Sequence, residues 1–212
     1  LLGRAVLGLA ALILGLEVLY NINTNHTLRP VGAPWAYAST IRLGNDGYQQ
    51  LARRLQPLFE AQPGYLPARR PARSRQDFAM SFARVKGHDV FLFQSPLRWF
   101  STYWYFQQQL LMHGVYTFHE QDLRDLAARD GLGDVNWFML FGKLGVRRVY
   151  YVVGARPEVF EPGQQPKPDS AAVRLERIFV DALGQGAPGG VQTVADPTGQ
   201  VSFRIYAITL NP

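Results

Sequence analysis

An unbroken apolar run at the start of the chain limits the possible folds before any other feature does. From Ala5 to Leu16 no side chain is charged; Glu17 interrupts, and Val18-Leu19-Tyr20 follows. The uncharged stretch falls short of the ~20 residues a membrane-spanning helix needs, but Leu1 to Tyr20 restores that length. Arg4 and Tyr20 then lie near the two interfaces, where long basic side chains snorkel and tyrosine rings settle. Glu17 lies within about one turn of the outer interface, where a carboxylate costs less than at the bilayer centre. A cleaved signal peptide would need a small-x-small site just after the run, and Ala36-Tyr37-Ala38 comes too late. A helix buried in a soluble core would have to be apolar on every face, which is unusual at a chain end.

Residues 1–20 are therefore expected to form a transmembrane helix. With Arg4 inside, the positive-inside rule puts everything after Tyr20 outside the cytoplasm, at the cytoplasmic (inner) membrane. Residues 21–44, polar and then rich in proline and aromatics, read as a connector on the membrane surface, and 45–212 as an extracytoplasmic α/β domain. The first residue is not methionine, so the helix is expected to be the last of several in a longer polypeptide.

The length allows one core beside the anchor. The absence of cysteine removes disulfides, thiolate nucleophiles and thiolate-bound metals. The net charge of +6 is local. Between Arg42 and Lys86 there are nine basic residues and three acidic ones, a difference of six, so the remainder is balanced. Such a segment suits anionic headgroups or lipid-linked phosphates; the plainer alternative is a solvated face.

Helical spacing of Tyr48, Leu51, Leu55 and Leu58 predicts a helix from Gly47 to about Gln56, capped by Asn45 or Asp46 and ended or kinked by Pro57. Phe78, Met80 and Phe82 alternate as in a strand, and Asp89 to Phe93 is a second, short apolar one. Ser95-Pro96 matches a helix cap followed by proline at the first helical position. The stretch Trp99 to Phe106 is strongly aromatic, as a core or a membrane interface would be. A strand is expected over Val115 to Phe118, then helices from His119 to Arg129 and after Asp134, the second stopped by Gly145. Val146 to Val153 reads as a strand, Ser170 to Leu183 as a helix capped by Asp169, and Val191 to Ala195 with Val201 to Leu210 as a terminal hairpin. Strands alternating with helices imply parallel neighbours, and the hairpin adds an antiparallel edge. The expected fold is a small mixed α/β sandwich after an N-terminal transmembrane helix.

The chain lacks a phosphate-binding Gly loop, a dinucleotide fingerprint, a zincin motif and a nucleophile elbow. No cofactor is expected in this segment, nor a nucleic-acid partner, since the basic residues are not set in a recognised module. His26, His88, His113 and His119 have no metal-ligand spacing, so no metal site is expected. Ligands of open α/β sheets bind beyond the carboxyl ends of parallel strands. Ser95, His119, Glu120 and Arg156 occupy those positions and are the candidate substrate-binding residues. The structural alternative is a cap for Ser95, a first-turn acid for Glu120 and loop positions for the others.

A closing apolar helix leads through Asn21-Ile22-Asn23-Thr24-Asn25 into a small α/β domain. With Ile41-Arg42-Leu43-Gly44-Asn45-Asp46-Gly47-Tyr48, Asp89-Val90-Phe91-Leu92-Phe93-Gln94-Ser95-Pro96 and Val146 to Val153, this resembles the C-terminal extracytoplasmic region of polytopic GT-C-type glycosyltransferases, relatives of the dolichyl-phosphate-mannose mannosyltransferases. The resemblance rests on layout and covers most of the chain. It implies transfer of a sugar from a polyprenyl-phosphate carrier to an extracytoplasmic acceptor. It also implies that the catalytic carboxylate lies in an early loop outside this segment, so no catalytic residue is expected here and the segment alone would be inactive. Its partners would be the lipid bilayer, upstream transmembrane helices of the same polypeptide and lipid-linked sugar phosphate, with Arg42, Arg53 and Arg54 facing lipid phosphates. Two other readings compete: a single-anchor accessory or assembly subunit without activity, and a free α/β enzyme with its first helix buried.

Overall fold

In a computed structural model the chain forms a mixed five-stranded sheet between two helical layers. The structure describes residues 2–26, 46–63, 65, 85–97, 115–121, 123–124, 137–161 and 163–210. The elements are α1 (Leu2–His26), α2 (Tyr48–Glu60), β1 (Asp89–Phe93), β2 (Tyr116–His119), α3 (Trp137–Lys143), β3 (Arg148–Gly154), α4 (Ala171–Gly184), β4 (Gly189–Ala195) and β5 (Val201–Thr209).

The strand order is β2-β1-β3-β5-β4. β1 runs parallel to both β2 and β3, while β5 is antiparallel to β3 and to β4. The mixed sheet and the terminal antiparallel hairpin are those expected from the sequence.

Period-two alternation splits the sheet between two cores. Phe91, Phe93, Tyr150, Val152, Phe203 and Ile205 face α2 and pack on Tyr48, Leu51, Leu55 and Phe59. Val90, Leu92, Phe118, Val149, Tyr151, Val153, Tyr206 and Ile208 face the other way, onto Phe141 of α3 and Leu175 and Phe179 of α4. β1 is buried along its whole length because both of its faces are covered. Each large side chain so enclosed contributes about 1.5–3 kcal/mol of burial.

The helix boundaries have local causes. Gly47, at φ +90, stands at the N-cap of α2 in place of Asp46, while Asn45 lies outside the described residues; a Cβ on Gly47 would meet Ser202 Cβ at 2.7 Å. Pro57 does not end α2, whose last turn runs on to Glu60. It removes one amide donor near the helix end, and Phe59 anchors that turn edge-on to Phe91 at 4.7 Å. Ser170, not Asp169, caps α4, its hydroxyl accepting from the Val173 N–H at 3.3 Å.

Helix α1 continues six residues past Tyr20, so the start of the expected connector is helical. Val6, Leu9, Leu12, Ile13, Leu14, Leu16, Val18 and Leu19 are each 53–64 % exposed, around the full circumference. None of these described side chains is buried in the domain core, whereas the reading of a free enzyme requires this helix to be buried. Among the described residues, no helix is long and apolar enough to cross a membrane; the continuous run of α1 with described side chains is 8–19. Arg42, the Phe78–Phe82 alternation and the aromatic stretch at 99–106 lie outside the described residues.

Candidate functional site

Three parallel strands end side by side, with Phe93 opposite both His119 and Val152. β1 leads on to β2 on one flank, whereas β3 leads away to β4 and β5 on the other. The reversal between β1 and β3 is where open α/β sheets hold ligands. Here the protein fills it. The Gln94 side-chain oxygen accepts from the Gly154 N–H at 3.0 Å, and the Gln94 N–H donates to Val152 at 2.9 Å. Leu97 bridges to Phe160, and the Glu161 N–H reaches the Pro96 carbonyl at 3.1 Å. A Cβ on Gly154 would lie 2.5 Å from the Phe160 ring. The two exit loops are thus stitched together over the crevice.

Ser95 does not cap a helix. Gln94 to Leu97 form a tight turn with a cis Ser95–Pro96 bond, closed by the Leu97 N–H on the Gln94 carbonyl at 3.0 Å. Ser95 instead presents its backbone N–H to the carboxylate of Glu120. That carboxylate is 2 % exposed and also accepts from the Tyr151 hydroxyl at 2.5 Å and from the Arg124 guanidinium one turn along. Burial pushes the Glu120 carboxyl above its ordinary value, against the pull of Tyr151, Arg124 and the Ser95 amide. Burial, and then the neighbouring Glu120, push the Tyr151 hydroxyl well up as well. Glu120 thereby clamps the exits of β1 and β2 to the middle of β3.

His119 belongs to the opposite face. It ends β2 instead of opening a helix, and its ring tilts against Phe93 at 6.1 Å on the α2 side. Burial holds its pKa down to about 4, so the imidazole is neutral near pH 7. Arg156 turns toward the hairpin, donating to Gln200 at 3.0 Å and pairing with Asp196 at 2.8 Å. Burial acts to raise the Asp196 carboxyl. The Thr198 hydroxyl, the Gln200 and Thr198 amides and Arg156 outweigh it and hold the group below its ordinary value. Of the four strand-end candidates, the structure joins Ser95 with Glu120 and sends His119 and Arg156 elsewhere.

Arg53 and Arg54 are exposed on α2. Arg54 donates to the side chain of Gln192 on β4 at 3.0 Å, which places its flank of α2 beside the sheet edge.

A second polar cluster, not foreseen from the sequence, lies at the other end of β1. Asp89, 2 % exposed, pairs with Arg147 at 2.7 Å and exchanges two hydrogen bonds with Gln62, at 2.9 and 3.0 Å. An acid opening an otherwise apolar strand was the available signal. The cluster ties the turn after α2 to β1 and to the residue before β3. Beside it, burial and then Arg147 lower the His88 pKa, with Asp89 opposing.

Chemically these groups form clamps. Among the described residues, no cluster of His, Asp or Glu is arranged to hold a metal ion. No family model, curated protein or solved structure matches the chain.

Proposed function

We propose that the chain is a non-catalytic, membrane-anchored domain: the C-terminal extracytoplasmic part of a polytopic glycosyltransferase that moves a sugar from a polyprenyl-phosphate carrier to an extracytoplasmic acceptor. The apolar shell of α1 carries the membrane part of this reading. Eight large apolar side chains spread around one helix have no place in water, and lipid is the solvent that suits them. The described run 8–19 measures about 18 Å and cannot span alone, whereas the sequence run Leu1–Tyr20 measures about 30 Å, the thickness of the hydrocarbon layer. The proposed anchor is that longer run.

The non-catalytic role is supported by the strand ends, where the crevice is filled and Glu120 is held by three donors. The glycosyltransferase assignment rests on the sequence resemblance and is tested upstream of the codon for Leu1. The reading expects an open frame encoding several apolar spans, with an acidic residue in the first outside loop. A start codon within a few residues of Leu1 would overturn it in favour of a single-anchor accessory subunit.

A further inference from the structure

β4 is the terminal strand of the sheet; its one irregularity falls at Val194/Ala195, and the five residues before Val194 form a regular, exposed edge. Its seven residues, Gly-Gly-Val-Gln-Thr-Val-Ala, include no charge and no proline, and Gly189 to Thr193 are exposed on both faces. Edges of this kind are normally blunted by lysine, proline or a covering loop, because their backbone groups can template a further strand.

The ladder shows which groups are on offer. The Thr209 N–H bonds the Pro188 carbonyl, and the register pairs Gly189 with Ile208. Antiparallel alternation then turns the N–H and C=O groups of Gly190 and Gln192 toward β5, and those of Gly189, Val191 and Thr193 away from it. Both faces beside this edge carry a cation. On the α2 side Arg54 is hydrogen-bonded to Gln192, and among the described residues no carboxylate pairs with it. On the α4 side Arg204 lies opposite Thr193, 43 % exposed, and among the described residues its acid contact is Glu176 at 3.5 Å. Val191, half exposed, shares that face.

We propose that β4 is a docking edge for an extended segment of a partner polypeptide, added as a sixth strand, with acidic side chains toward Arg54 and Arg204 and an apolar one beside Val191. Backbone pairing supplies the affinity and the alternating side chains the selectivity. A second copy of the chain fits less well: a twofold axis through Gln192 would bring two Arg54 side chains together. This inference does not depend on the membrane reading.

The test uses the whole chain in detergent micelles with two synthetic peptides about seven residues long, one with a central Val-Glu-Glu run and one with Val-Lys-Lys in its place, so that charge falls on both faces of the added strand and valine on one. The glutamate peptide should bind and slow hydrogen exchange at the amides of Val191 and Thr193; the lysine peptide should not. Val191→Pro, which removes an outward N–H and leaves the β5 ladder intact, should abolish binding. Arg54→Glu, on an exposed helix face, should weaken it about tenfold. Equal binding of both peptides, no protection of β4, or self-association through β4 without peptide would each overturn the proposal. So would an Arg54→Glu variant that binds the peptide normally but loses association with phosphatidylglycerol vesicles, since the flank would then belong to lipid.

Discussion

His119 and Glu120 are neighbours in sequence with opposite effects on stability. His119 titrates near 6.5 in an unfolded chain and at about 4 when folded, so the native state resists its protonation. Its contribution is fully present above about pH 6.5 and is lost as the pH falls toward 4, by about 3 kcal/mol. The Glu120 carboxyl is raised on folding, so its contribution is greatest below the unfolded value and declines as the pH rises through the folded one. In mild acid the two partly cancel. Chemical denaturation across pH 4–7 should show His119→Leu flattening the acid loss and Glu120→Gln steepening it. Parallel profiles for the two variants would contradict these placements. The sequence placed Ser95 and Glu120 at neighbouring strand ends but did not show how they meet. Ser95 acts through its backbone amide, which no residue type announces. Tyr151, the third member, lay within a run read only as a strand, and period-two counting does separate it from Tyr150.

Most elements were legible because each has a local cause. β1 is a short apolar run with buried faces, α4 follows the helical spacing of Ala172, Leu175 and Phe179, and α3 gives way to Gly145 at φ +72. The departures arise where tertiary contacts prevail. α2 outlasts Pro57 because Phe59 is seated on Phe91, and the expected helix at Ser95-Pro96 is a turn because β1 and β3 share their exits. The closed crevice is a property of paired loops, so no local pattern reports it. Gly154 is its tightest point, with Phe160 and Val159 lying where a side chain would stand. Gly154→Ala should therefore cost about 1–3 kcal/mol in thermal or urea unfolding and loosen the exit loops. An unchanged midpoint would mean that the loops are not packed on this residue.

At the scale of the molecule, the described residues combine a three-layer domain with a helix that hides none of its described apolar side chains. Among the described residues the domain has two cores and clamps at both ends of its parallel strands; the helix has Val6 and residues 8–19 exposed to whatever surrounds it. A bilayer around that helix is the central claim. It is tested most directly by mixing the chain with lipid vesicles, washing with alkaline carbonate and floating the vesicles through a density gradient. The wild-type chain should float after the wash, and Leu12→Arg, which sets a charge at the middle of the run, should stay at the bottom with its domain folded. A wild-type chain that remains at the bottom, or a variant that floats equally well, would contradict the account.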